Sequence, residues 1–230
     1  MDTAVEPAVV VWSDIACPWA HVAVARLWRY RERLGLAHAV RFDHRAFPLE
    51  LVNGRPTPKR VLDAEVPVTH AIEPGAGWQV WQRPDSEWPA SSLPALEAVQ
   101  AVKQSQGLAA AEALDRALRR ALFAESRCLS VWSEVLDAAR RCGGVDVDDL
   151  DEGFRTGRGR AAVVAQWQAS QAEDSPVKGS PHVFLPDGTD AHNPGVVMHW
   201  AGEHGKGFPI IEADDPSVYE KLLACFTPAA

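Results

Sequence analysis

The stretch VVVWSDIACPWAHVAVARLW, Val9 to Trp28, decides the fold. Val9, Val10, Val11 and Trp12 make a short β-branched and aromatic run, suited to a strand buried on both faces. Ser13, Asp14 and Ile15 end it. Beyond Pro18, the apolar residues Val22, Leu27, Trp28 and Leu34 recur at roughly helical spacing, with Arg26, Arg29, Glu32 and Arg33 between them. Gly35 closes that pattern as a helix-ending glycine does. Pro18 suits a first helical turn, where its missing N–H costs nothing. Cys17 thus stands at the positive end of a helix, which favours thiolate over thiol. The expected thiol pKa lies below the free value of about 8.5.

Composition narrows the classes of function. A chain of 230 residues with 47% hydrophobic content supports one large domain, or one domain with a sizeable insertion. A net charge of −8 and the lack of any Lys/Arg block argue against nucleic acid or an anionic membrane surface as principal partner. The opening MDTAVEPAVVVWSD is acidic, has no basic n-region, and carries an apolar run too short for a signal peptide or a span, so a cytoplasmic location is expected. The four cysteines, Cys17, Cys128, Cys142 and Cys225, show no two-residue pairing and hence neither a disulfide framework nor a Cys-rich zinc site. Cys128, Cys142 and Cys225 read as small buried hydrophobes. His192, His199 and His204 match no ligand pattern, so no metal is expected. The acids Asp146, Asp148, Asp149, Asp151 and Glu152 lack EF-hand spacing and read as a helix N-terminal charge and a solvated face.

Working outward, HAVRFDHRAFPLEL (38–51) reads as a second strand running into Pro48, completing a βαβ unit over the first fifty residues. Residues 53–92, rich in Pro, Gly and Trp, read as one long irregular segment. Its Trp78, Trp81 and Trp88 either line a pocket for an apolar substrate or clamp the loop to the core. Residues 93–171 carry five helical patterns: LPALEAVQAVKQSQG, LAAAEALDRALRRALFAE, SVWSEVLDAARRCGG, VDVDDLDEGFRTG and RAAVVAQWQASQAED. Residues 180–195 read as a hairpin about Pro186-Asp187-Gly188, and Asp215-Pro216 opens a final helix carrying Val218, Leu222, Leu223 and Phe226.

WSDIACPWA after a strand, a helical block, VKGSPHVFLPDG and a closing helix together resemble the DsbA-like branch of the thioredoxin fold. The likeness is greatest to its cytoplasmic dithiol-disulfide isomerase-like members and to their relatives, the 2-hydroxychromene-2-carboxylate isomerases and kappa-class glutathione transferases. That resemblance implies an α/β thioredoxin-like fold with a helical insertion between an N-terminal βαβ part and a C-terminal ββα part. The thioredoxin-like domain would comprise residues 1–52 and 176–230, with residues 53–175 as loop and helical insertion. It also implies a cis Ser180-Pro181 peptide facing Cys17. On it, Cys17 is the catalytic residue of a CPWA motif; Pro18, Trp19, Ser180 and Pro181 receive the thiol substrate; Asp14 and His21 are candidate modulators. A cis X-Pro bond turns the preceding backbone outward, so the N–H and C=O of Ser180 are expected to pair with an extended thiol peptide or with glutathione.

Members that shuttle disulfides carry a second cysteine where this chain has Ala20, and that second thiol resolves the mixed disulfide. With Ala20 no disulfide closes within the motif. The expected activity is therefore monothiol: a thiol-disulfide oxidoreductase or disulfide isomerase acting on a protein or small-molecule thiol or disulfide. No cofactor is expected to be tightly bound, and glutathione is a candidate co-substrate. The alternative is a glutathione-dependent isomerase or transferase acting on a small molecule, aromatic or not. His21 lies one turn beyond Cys17 on the same helix face, where it either lowers the thiol pKa as a cation or simply packs. The sequence is compatible with a monomer or a homodimer.

Overall fold

The computed structural model describes residues 8–227, so part of the acidic N-terminal stretch lies outside the described residues. β1 (Ala8–Ser13) runs into α1 (Pro18–Arg33), and β2 (Arg41–Ala46) lies parallel to β1 with Ala8 opposite Arg41 and Ser13 opposite Ala46. Gly35 takes φ +69 just past α1, the left-handed turn that a glycine enters without strain. Next come α2 (Leu49–Asn53) and α3 (Lys59–Ile72). The helical block holds α4 (Leu93–Gln106), α5 (Leu108–Phe123), α6 (Trp132–Cys142), α7 (Val147–Arg155) and α8 (Arg158–Ser170). β3 (His182–Phe184) and β4 (Asp190–His192) follow, then β5 (Val196–Ala201), β6 (Phe208–Asp214) and α9 (Val218–Leu223).

β3 pairs antiparallel with β1, and β4 with β3, giving a sheet of order β2-β1-β3-β4. One apolar cluster joins Val9, Val11, Phe42 and Val183 of this sheet to Ala23, Leu27 and Tyr30 of α1 and Tyr219, Leu222 and Leu223 of α9. A second fills the helical block with Leu96, Val99, Val102, Leu114, Leu118, Leu150 and Val163. There α8 crosses α4 so closely that a Cβ on Gly159 would fall 2.0 Å from the Glu97 carbonyl oxygen; only glycine fits. Asp146 caps α7, its carboxylate accepting the N–H groups of Asp148 and Asp149 at 3.1 Å.

Three expectations need correction. The second strand spans only Arg41–Ala46, and Leu49–Asn53 is helical. Residues 53–92 are not one irregular segment, because α3 occupies Lys59–Ile72 with Val61, Leu62, Glu65, Val66 and Thr69 on its buried face. Pro67 lies inside that helix, where it costs one intrahelical hydrogen bond; burial of the apolar face outweighs that cost. Thirdly, the C-terminal part is not a simple ββα. The hairpin β5–β6 stands between β4 and α9, its alternation hidden by a register shift at Val197/Met198.

Candidate functional site

The site is built at the β1–α1 junction. Cys17 is the N-cap of α1, with extended backbone (φ −86, ψ 114) and no side-chain cap bond, and Pro18 follows in the first turn. Asp14 shapes the turn before it. Its carboxylate accepts the Ala16 N–H (2.8 Å), the Leu49 N–H (2.7 Å) and the Ser92 hydroxyl (3.0 Å), while its carbonyl accepts from Cys17 N–H (3.3 Å). Arg119 of α5, fully buried, donates to the Asp14 carbonyl (3.0 Å) and the Ser13 hydroxyl (2.7 Å) and is itself paired with Asp115 (2.8 Å). Burial raises the Asp14 pKa against the lowering pull of Ala16, Leu49, Ser92 and Arg119. Asp14 is thus a brace rather than a reacting group.

The Ser180-Pro181 peptide is cis, and its loop meets this turn directly. The Asp14 N–H donates to Ser180 Oγ at 2.9 Å, and the Cys17 thiol donates to the Ser180 carbonyl at 3.2 Å. Ser180 therefore does not present a free carbonyl outward at rest; the thiol occupies it. His182, fully buried, holds the same loop, accepting the Lys178 N–H on Nδ1 (3.1 Å) while Nε2 lies 2.7 Å from Asp190.

Cys17 is only 4% exposed. With Trp19, Ala20 and Val196 it forms a small apolar cluster covered by Leu49, Val68, Ile72, Met198 and Ile211. The expected depressed pKa is overturned: burial pushes the Cys17 thiol up to about 12, and the neighbouring Glu65 and Asp14 carboxyls push the same way, against contacts with Ser180 and Ala20. Desolvation of the thiolate exceeds the helix N-terminal field. His21 is likewise no cation for the thiol. It is buried, stacked on Phe123 at 4.9 Å with Trp78 edge-on at 4.5 Å, and desolvation holds its pKa down to about 3.

Trp19 points to a residue that sequence reading missed. Its indole N–H donates to Glu65 Oε1 at 2.9 Å, and burial raises this carboxyl to about 7, with the indole bond pulling back. Glu65 lies in the segment read as irregular; its only signal was an acid on the apolar face of a helix that had to be recognised first. The tryptophans act mainly as clamps: Trp78, Trp81 and Trp88 donate to the carbonyls of Glu73, Pro84 and Thr57. Trp88 also lines a narrow cavity of about 20 Å³ beside Ile15 and Ala16, too small for a substrate as it stands. No other cysteine belongs to the cluster around Cys17. Cys128 is buried as expected, but Cys142 is half-buried and Cys225, in the terminal turn, is exposed. No described helix is long and apolar enough to cross a membrane.

A four-stranded β2-β1-β3-β4 sheet with a cysteine at the N-terminus of α1 opposite a cis-proline loop defines a thioredoxin-fold thiol protein. The chain belongs to the DSBA-like thioredoxin domain family, whose model matches residues 8–202. Among solved structures, the chain is similar to the cytosolic disulfide reductase DsbM from Pseudomonas aeruginosa, with 17% identity and a TM-score of 0.61 over 80% of this chain and 87% of that one. DsbM has also been solved with glutathione. A probable DsbA oxidoreductase from Streptomyces coelicolor matches at 20% identity and TM-score 0.62 over 97% of this chain and 93% of its own. 2-Hydroxychromene-2-carboxylate isomerase matches at 17% and 0.58, over 80% and 87%. These structural likenesses speak to the fold. Comparison with curated proteins found no match.

Proposed function

We propose that the protein is a thiol-disulfide oxidoreductase or disulfide isomerase working through the single thiol of Cys17. The observation that carries this reading is the 3.2 Å approach of Sγ to the Ser180 carbonyl, which puts the sulfur at the backbone where an extended thiol partner would pair. Cys17 as thiolate attacks one sulfur of a disulfide RS–SR′, forming Cys17–S–S–R and expelling R′S⁻. With Ala20 in the motif and no second cysteine packed on Cys17, the resolving thiol comes from outside: glutathione or a substrate thiolate attacks the R sulfur and frees Cys17. Glutathione is then a co-substrate, which a reducing compartment such as the cytoplasm supplies. Pro18, Trp19 and Pro181 shape the entry, and exchange requires the apolar cluster that buries Cys17 to open.

One observation favours a second reading. The buried Cys17 thiol holds its proton and is a weak nucleophile at rest. In a glutathione-dependent isomerase or transferase the glutathione sulfur would do the chemistry, and Cys17 would only donate a hydrogen bond to it. Cys17→Ser separates the two, because a serine hydroxyl without a strong base is un-ionised at neutral pH. The expected result is loss of glutathione–disulfide exchange with retained glutathione binding. Full exchange by the serine variant would sink the oxidoreductase reading.

A further inference from the structure

A cavity of about 520 Å³ opens between α1 and α5 and shares no residue with the apolar cluster around Cys17. The two helices build it with one spacing. Ala25, Trp28, Arg29 and Glu32 of α1 stand at i, i+3, i+4 and i+7, as do Ala113, Arg116, Ala117 and Arg120 of α5. At Ala25, Ala113 and Ala117 only methyl groups line it, so the helices face each other across an apolar gap that their own side chains leave open.

Its charge is opposite to that of the chain. Arg29, Arg116, Arg119 and Arg120 line it against Glu32 and Glu73, on a protein of net charge −8. Glu73 is already held by Arg26 and Arg29, and Arg119 is held by Asp115. Arg120 shares Glu125 with Arg141, at 3.2 and 3.4 Å. Arg116 has no carboxylate partner among the described residues; its guanidinium reaches across to the Trp28 ring, 4.8 Å from the centroid. Trp28 lines the same cavity, and its buried indole nitrogen has no hydrogen-bond partner among the described residues. Buried donors without an acceptor are rare in folded proteins and call for one.

We propose that this cavity binds a small organic anion carrying two carboxylates on a flat apolar body, one carboxylate on Arg116 and Arg120 and the other on Arg29. The planar guanidinium fork matches a carboxylate, and Arg116 and Arg120, one turn apart on α5, can share one. Between the two charged walls the apolar body packs on the alanine methyls, a role that a bare oxyanion leaves empty. The volume falls within the range of about 300–1,000 Å³ usual for small-molecule sites. Glu32, exposed at the rim, is the acid that such a ligand meets, and it sets a limit on affinity. Cys142, at the end of α6, lines the cavity with a half-buried thiol that reports occupancy.

The test is calorimetric titration of the protein with benzene-1,3-dicarboxylate, with benzoate and inorganic phosphate alongside. The dicarboxylate should fill one saturable site about tenfold more tightly than either of the others, and its affinity should fall as salt is raised. Arg116→Gln and Arg120→Gln change exposed side chains and spare the core, and each should weaken binding about tenfold. Glu32→Gln should strengthen it about twofold by removing a like charge. Bound dicarboxylate should slow iodoacetamide alkylation of Cys142 at least about threefold and leave the exposed Cys225 unchanged. No saturable binding up to about 10 mM dicarboxylate, or binding indifferent to both arginine substitutions, would overturn the proposal. Phosphate binding as tightly as the dicarboxylate, with the same arginine dependence, would also overturn it, because the apolar gap would then play no part.

Discussion

The β1–α1 junction and helix α3 both deliver residues to Cys17, but they are coded in different ways. The junction is local: a β-branched run, an Asp14 turn and Cys17-Pro18 at a helix start follow one another within eleven residues, Val9 to Trp19. Helix α3 contributes a carboxyl across 46 residues of chain, from a segment whose composition hides a helix. The difference teaches that position of the sulfur is written locally, whereas its environment is written by segments distant in the chain, α3 and the β5–β6 hairpin. A helix N-terminus alone predicts an acidic thiol; the cover from α3 and β5–β6 reverses that sign.

The largest expected effect breaks the link between the two regions. Arg119 of α5 bonds Ser13 and the Asp14 carbonyl, so Arg119→Leu leaves Asp115 buried without its partner. We expect a loss of about 3–5 kcal/mol in urea unfolding, the usual cost of stripping one partner from a buried ion pair. A change below about 1 kcal/mol would mean that the helical block does not brace the turn.

A smaller effect separates the packed His21 from a cationic one. His21 titrates near 3 in the folded protein and near 6.5 when unfolded, so its stabilising contribution is present above pH 6.5 and is lost as the pH falls toward 3. The fully buried His44 shifts in the same direction. The raised Glu65 runs the opposite way, losing stability as pH rises from 4.5 through about 7, but it is common to both proteins compared. His21→Phe should gain on the wild type by about 2 kcal/mol between pH 6.5 and 4.5. A pH-independent difference would contradict the neutral, stacked ring.

The smallest effect lies far from the sulfur. Asp146→Ala removes the α7 cap and should cost about 1 kcal/mol in urea unfolding while leaving exchange unchanged. A fall in exchange would show the helical block coupled to the site more widely than through α3 and α5.

Much of this architecture is legible in the residues. Alternating and helical patterns locate β1, α1, the five helices from Leu93 to Ser170, the Pro186-Asp187-Gly188 hairpin and α9. Resemblance, rather than periodicity, brings Ser180-Pro181 to Cys17, since no local pattern encodes a contact across 163 residues. What escapes is what depends on tertiary burial: α3 behind its Pro67, the bulged β5–β6 hairpin, the Trp19–Glu65 bond, and the burial that raises the Cys17 thiol.

The central claim is that one thiol, Cys17, exchanges with disulfides. Its most direct test is intact and peptide mass spectrometry after incubation with oxidised glutathione, with Cys128, Cys142 and Cys225 as internal comparisons. The account predicts a single glutathione adduct on Cys17 that reduced glutathione removes, formed despite the 4% exposure of that residue. The exposed Cys225 acquiring the adduct while Cys17 stays unmodified would contradict it.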